Sequence, residues 1–343
     1  HIHIRGNFLE KGAQVQPGVP AILPPILSET TGLVNRLDFA RWLFSSEHPL
    51  TSRVTVNRFW QRLFGYGMVE TENDFGTQGD RPSHPQLLDW LSSEFMRLGW
   101  SQKQLHRLIV TSATYRQSSH VTPVLYEQDP RNRLLARQSR IRLEAESVRD
   151  IALSASGLLS RKMLGPGVYP PQPKGIYVVT QVAKQWPESQ GEDRYRRGVY
   201  TYFWRSSPYP MLPTFDAPDA NGTCTRRNRS NTPLQALTLA NDASFMEFAR
   251  GLSDRILRDA PDYDEGRIRF VFQTALTRPP SPQEKRLLQK FVSQQRRLFQ
   301  ADEKAAAAAA SSNRPESSSV VDSATWTALA RVVLNLDEFI TRE

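Results

Sequence analysis

The sequence predicts a mainly α fold, a multi-helix bundle-like domain with a minor β element. Three observations point there. Apolar residues recur at helical spacing along most of the chain, several of those stretches open on capping signals, and runs of β-branched and aromatic residues are few and short.

The opening HIHIRGN reads as a strand over residues 1 to 5. After the proline-rich GVPAILPPI, the segment from Thr31 to Ser45 places Leu33, Leu37, Ala40 and Phe44 on one helical stripe, which should face a core. From Thr51, a second stripe of Val56, Phe59, Trp60, Leu63 and Phe64 ends at Gly65. The glycine-rich loop GYGMVETENDFGTQGDRPS that follows is too long for a simple connector. Ser83 with Gln86, and Ser101 with Gln104, have capping-box spacing ahead of the next two stripes, Leu87 to Leu98 and Leu105 to Ile109. A helix from about Leu143 carries Val148, Ile151, Ala152, Ala155 and Leu159.

The period then changes. GIYVVTQV and GVYTYFW predict two strands joined by a long polar loop, so the β element should cover about 176 to 204. Helices resume at Thr232-Pro233-Leu234-Gln235 and at Ser281-Pro282-Gln283-Glu284, each a capping box with proline at the first helical position. Phe245, Phe248, Ala249, Leu252 and Ile256 make one late stripe, Ile268, Val271, Phe272 and Ala275 another, and Trp326, Leu329, Ala330 and Val333 the last. The organisation expected from these elements is an N-terminal helical subdomain over 1–160 with an entering strand, a β- and loop-rich segment over 161–230, and a C-terminal helical subdomain over 231–343. The tract DEKAAAAAASSNRPESSS is expected to be a disordered insertion at about 302–320, unpacked from the body.

With 343 residues and 39% apolar composition, the chain can bury a substantial core. Forty-four Lys and Arg against 35 Asp and Glu leave a formal charge of +9, which favours acidic partners, although such an excess is commonly a solvated face. Cys224 is the only cysteine, which excludes an internal disulfide and a cysteine-based zinc or c-type haem motif within these residues. No apolar run approaches the length of a membrane span. The first residues carry neither Met nor a signal-like h-region and read as a strand beginning mid-sheet, so the sequence is expected to be an internal or processed piece.

The stretches HIHIRGNFLEKGAQVQPGVP, NRLDFARWL, NRFWQRLFGYGMVETENDFGTQG, HPQLLDWL, FDAPD, RRNRSNTPLQALTLAND and LNLDEF together resemble the planctomycete-specific C-terminal domain of unknown function. The resemblance covers nearly the whole chain. It implies a mostly helical module of a large exported protein, periplasmic or extracellular, in which another planctomycete-specific domain and a cytochrome-c-like haem domain precede it. The N-terminal haem-associated domains of the same polypeptide are then its expected partners, and any haem sits on a preceding domain, with no cofactor in this chain. It implies no catalytic assignment.

The chemistry-bearing stretch is TFDAPDANGTCTRRNRSNTPLQ. Arg226, Arg227 and Arg229 precede a helix expected to start at Thr232, and together with Asn231 and Thr232 they are the expected ligand-binding residues, because a helix start offers free N–H groups and a positive dipole end to an anion. The expected ligand is an anionic small molecule or a sulfated glycan. The competing structural reading pairs these arginines with Asp216 and Asp219. As an alternative function, Asp216 and Asp219 serve as acid and base of a hydrolase or a redox accessory enzyme, with the arginines as a clamp. A second alternative is nucleic-acid binding through a basic helical face of Arg131, Arg133, Arg137, Arg140 and Arg142, against which stands the lack of any recognition motif. No metal is expected: DANG fails as a calcium loop because Ala217 stands at the first ligand position, and no HExxH occurs. In the 65–80 loop, Glu70, Glu72, Asn73, Asp74 and Gln78 could face a sugar or cap neighbouring helices. Tyr200, Tyr202, Trp204 and Tyr209 are expected to be mostly core.

Overall fold

The computed structural model describes residues 1–27, 32–173, 175–176 and 185–342. It is mainly α: among the described residues the only sheet has two short antiparallel strands, β1 (Ile141–Arg142) and β2 (Thr341–Arg342), with Ile141 opposite Arg342. The chain divides into two compact units, His1–Ser139 and Arg140–Glu343.

The first unit contains α1 (Arg36–Leu43), α2 (Thr51–Phe64), α3 (Pro85–Arg97), α4 (Gln102–Val110) and α5 (Pro123–Gln128). Val56, Trp60, Phe64, Leu88, Leu91, Phe95, Leu105 and Ile109 form its core, as the helical stripes require. The opening residues fold into a small hairpin, in which the Ile2 amide donates to Ala13 (2.9 Å) and the Gly12 amide to Ile2 (2.7 Å). The expected stripe on α1 is turned outward: Leu37 and Phe44 are each 56% exposed, while Asp38 and Trp42 are buried. Fixed partners dictate that rotation. Asn35 and Asp38 close a capping box, and the Trp42 indole donates to the Pro24 carbonyl (2.7 Å) and stands edge-on to the His48 ring. On α3 the N-cap is His84 rather than Ser83, because Pro85 takes the first helical position.

The second unit contains α6 (Ala145–Ser156), α7 (Met211–Thr214), α8 (Pro233–Asn241), α9 (Ala243–Asp259), α10 (Asp264–Leu276), α11 (Pro282–Ala301), α12 (Glu303–Ala309), α13 (Val320–Leu334) and α14 (Asp337–Ile340). Trp326, Leu329, Ala330 and Val333 are fully buried, and so are Ser323, Ala324 and Thr325 on other faces of α13. A helix covered on nearly every side is a central one, and α13 packs chiefly on α9, with α11 and α12 against it. Capping boxes at Thr232–Gln235 and Ser281–Glu284 start α8 and α11.

The expected strand GIYVVTQV lies, from Tyr177 onward, outside the described residues. GVYTYFW is not a strand: Gly198–Tyr200 form a 3-10 turn, followed by one isolated parallel bridge between Val168 and Thr201. A Cβ at Gly198 would lie 2.8 Å from Glu146 Cα, so this backbone is laid directly on α6 instead of beside a partner strand.

The Ala/Ser-rich tract carries α12, with Ala306 and Ser311 buried. The Ser311 amide donates to Ser323 Oγ (3.0 Å) and its hydroxyl to Asp254 Oδ2 (2.6 Å). Asp254 is itself buried on α9, and burial pushes its carboxyl above the usual range. Alanine runs are strong helix formers, and their small side chains allow the close approach to α13. Ser311→Ala removes the only donor to that carboxylate among the described residues. We expect it to lower stability by about 1–3 kcal/mol in urea unfolding at neutral pH.

Candidate functional site

The stretch from Asp216 to Gln235 is organised around one carboxylate. Asp216 has a left-handed backbone (φ 62°), which turns the chain out of α7. Its side chain accepts from the Arg142 guanidinium, from the Ser230 amide (2.8 Å) and from the Ser230 hydroxyl (2.8 Å). The Gln235 side-chain amide donates to the carbonyl of Thr214 (2.9 Å) and reaches Asp216 at 3.4 Å. Arg142, 9% exposed at its side chain, also donates to the carbonyls of Ser230 (2.9 Å) and Leu143 (2.7 Å) and lies over the Phe215 ring. Burial raises the Asp216 carboxyl, but the Ser230 donors and the Arg142 charge outweigh it and hold the group below the ordinary carboxylate range.

Asp216 is therefore a fixed anion tying β1, the end of α7 and the start of α8 together. A carboxylate so engaged is poorly placed to accept a substrate proton. Asp219 is exposed and accepts from the backbone and side chain of Asn221 (both 3.0 Å), which lowers its pKa. The structure does not bring the two aspartates to one hollow. The hollow beside this loop, about 310 Å³, is lined by Pro213, Asp216, Ala217, Pro218, Cys224, Arg226, Arg227 and Asn228, and not by Asp219.

Each arginine has a different role. Arg227 forms a fork with Glu146 (2.6 and 3.2 Å) and lies 3.3 Å from Glu144, so α6 neutralises it. Burial works against its charge, but the Glu146 hydrogen bond and the charges of Glu146 and Glu144 together outweigh it and raise its pKa. Arg229 is half-buried and does not line the hollow. Arg226 is exposed at the hollow wall with no ion-pair partner among the described residues, and its carbonyl accepts from the Cys224 thiol (3.2 Å). Asn231 is exposed and Thr232 half-buried. The start of α8 is less open than its sequence suggests: Pro233 has no N–H, the Gln235 amide donates to Thr232 Oγ1 (3.4 Å), and the Thr232 amide to Gln235 Oε1 (3.3 Å). The exposed positive group at this hollow is thus the Arg226 side chain rather than the helix end.

The other candidates are largely occupied. Glu70 in the 65–80 loop accepts from Arg131 (2.7 Å) and Arg133 (2.6 Å), beside a cavity of about 20 Å³, water-sized. Arg137 is buried and donates to the carbonyls of Asp129 and Pro130, and Arg140 pairs with Asp337 (2.5 Å). Together with Arg142 on Asp216, these pairings leave no arginine of the 131–142 run idle. Tyr209 is buried, Tyr202 stacks on Tyr169, and Tyr200 lies under Arg196, so these aromatics are packing residues. Among the described residues no group of three or more His, Cys, Asp or Glu is placed to hold a metal ion, and no helix is long and apolar enough to cross a membrane.

Sequence reasoning missed Glu144, Glu146 and Ser230 as loop partners. Arg142 was visible only as one more basic residue; it lies 74 positions from Asp216, and Glu146 lies 81 from Arg227.

The family described as PSD1: Protein of unknown function (DUF1553) matches residues 35–292. No curated protein and no solved structure matches the chain.

Proposed function

We propose that this chain, which belongs to the DUF1553 family of proteins of unknown function, is a binding module whose 213–228 hollow receives an anionic group of a small molecule or a glycan. One observation carries the reading: of the charges lining the hollow, Asp216 is matched by Arg142 and Arg227 by Glu146 and Glu144, whereas Arg226 has no such match among the described residues. A guanidinium of this kind takes sulfate or carboxylate through paired donors. Pro213, Ala217 and Pro218 add apolar surface to the lining, on which the face of a sugar ring can rest. The volume suits one sugar unit better than a long polymer. The resemblance to the planctomycete-specific domain favours a setting for this binding in an exported protein that also carries haem-associated domains.

The test is calorimetric titration with a sulfated oligosaccharide and its unsulfated parent. Arg226→Ala is expected to weaken binding of the sulfated ligand by about 1.5–3 kcal/mol, the worth of hydrogen bonds to a charged group. Arg226→Lys should recover part of that loss, because it keeps the charge without the planar fork. Equal affinity of wild type and both variants would remove Arg226 from the site.

A further inference from the structure

Arg149, on α6, has no solvent exposure. A guanidinium carries five N–H donors and stays charged in proteins, so burying one demands acceptors and a counter-charge. The structure supplies one acceptor: Nη2 donates to the Arg194 carbonyl (2.9 Å). Among the described residues the buried Nε and Nη1 have no hydrogen-bond partner. The Phe248 ring, 5.5 Å from the guanidinium carbon, gives the cation a face but no acceptor atom.

Neighbouring groups that might serve are already committed. Glu247 accepts from Arg194 through both oxygens (2.9 Å each) and from the Tyr195 hydroxyl (2.6 Å). Burial, then the hydrogen bond to Glu247, pushes the Tyr195 phenol up to about 12, so it remains a donor. Asp150 accepts from Arg197 (3.0 Å) and from the Gly198 amide (2.6 Å). The Tyr209 hydroxyl donates to the Pro171 carbonyl (3.0 Å), as does Ser244 (3.1 Å). Arg196 in the same unit shows how this fold accommodates a buried arginine without an acid: three carbonyls, of Pro166, Lys162 and Leu164, and the Tyr200 ring at 3.8 Å, with only Nε left without a partner among the described residues. Arg149 has one carbonyl and a more distant ring.

We propose that Arg149 is the receptor of a small inorganic anion of halide type, held inside the second unit by Nε and Nη1. A monatomic anion suits the position because it needs no donors beyond those two. A sulfate or carboxylate would bring further oxygens into a site whose other hydroxyls are engaged. This anion is separate from the ligand of the 213–228 hollow, and its role is to neutralise the interior.

Two measurements on the full chain test this. At constant ionic strength, replacing acetate by chloride or bromide is expected to raise the melting temperature saturably, by about 2–4 °C. Arg149→Met, which removes the charge at similar bulk, should abolish that dependence. In crystals grown with bromide, anomalous density is expected within hydrogen-bond distance of Arg149 Nε or Nη1. Bromide-free density there, water included, overturns the proposal, and so does an unchanged halide dependence in Arg149→Met. If that variant does not fold, the bromide density of the wild type decides alone.

Discussion

Asp216→Ala is expected to destabilise the second unit by about 3 kcal/mol, read as a shift of the denaturant midpoint with little change in slope. The substitution strands Arg142 at the base of the loop with only backbone carbonyls, and frees both the amide and the hydroxyl of Ser230. Removing one partner of a largely buried ion pair costs more than the pair contributes, because the remaining charge stays desolvated. Asp216→Asn keeps an acceptor for Ser230 and should cost less. The effect has a defined pH dependence. The folded carboxyl titrates below its unfolded value, so its contribution is complete above roughly pH 4 and fades as pH falls through the folded value. Wild type and Asp216→Asn should therefore converge in acid. A wild-type midpoint for Asp216→Ala would mean that the carboxylate is not tied down, and would return it to the list of acid/base candidates.

The second large effect is expected at Trp326. This side chain is wholly buried on α13, with the Arg267 guanidinium 5.6 Å from its ring. Trp326→Ala should cost about 3–5 kcal/mol, through lost transfer energy and the cavity left between helices that cannot fully close. Among the described residues the indole N–H has no hydrogen-bond partner, so the loss comes from packing and from the ring's contact with the Arg267 guanidinium. Trp326→Phe should retain much of it. Equal melting temperatures for wild type and Trp326→Ala would contradict the placement of α13 at the centre of the unit.

What the sequence made legible was local. The cap residues of α8 and α11 and the stripe from Phe245 to Ile256 could be read because the helix period and the capping hydrogen bonds involve residues a few positions apart. Orientation was less legible. The α1 stripe Leu33, Leu37, Ala40 and Phe44 has the right period, yet the helix is rotated by Trp42 and its bond to Pro24, which no periodicity encodes. The tract after Asp302 has the composition of a linker, but composition does not register that Ala306 fits beneath α13 or that Ser311 meets Asp254. At the candidate site, the charge cluster was visible and the pairing was not. Arginines 226, 227 and 229 look equivalent in sequence, and only the distant glutamates at the start of α6, Glu144 at its N-cap and Glu146 in its first turn, distinguish the neutralised Arg227 from the exposed Arg226.

Cys224 provides the most direct test of the binding reading, because its exposed thiol lines the same hollow as Arg226 and the chain has no other cysteine. The measurement is the rate of alkylation of the native protein by a neutral reagent, as a function of added sulfated oligosaccharide. Occupation of the hollow should slow labelling saturably in the wild type, with the unsulfated parent having little effect, and Arg226→Ala should shift the protection to much higher ligand concentration. A labelling rate that stays constant up to ligand concentrations at which binding is otherwise complete would place the anion elsewhere on the protein and contradict the account.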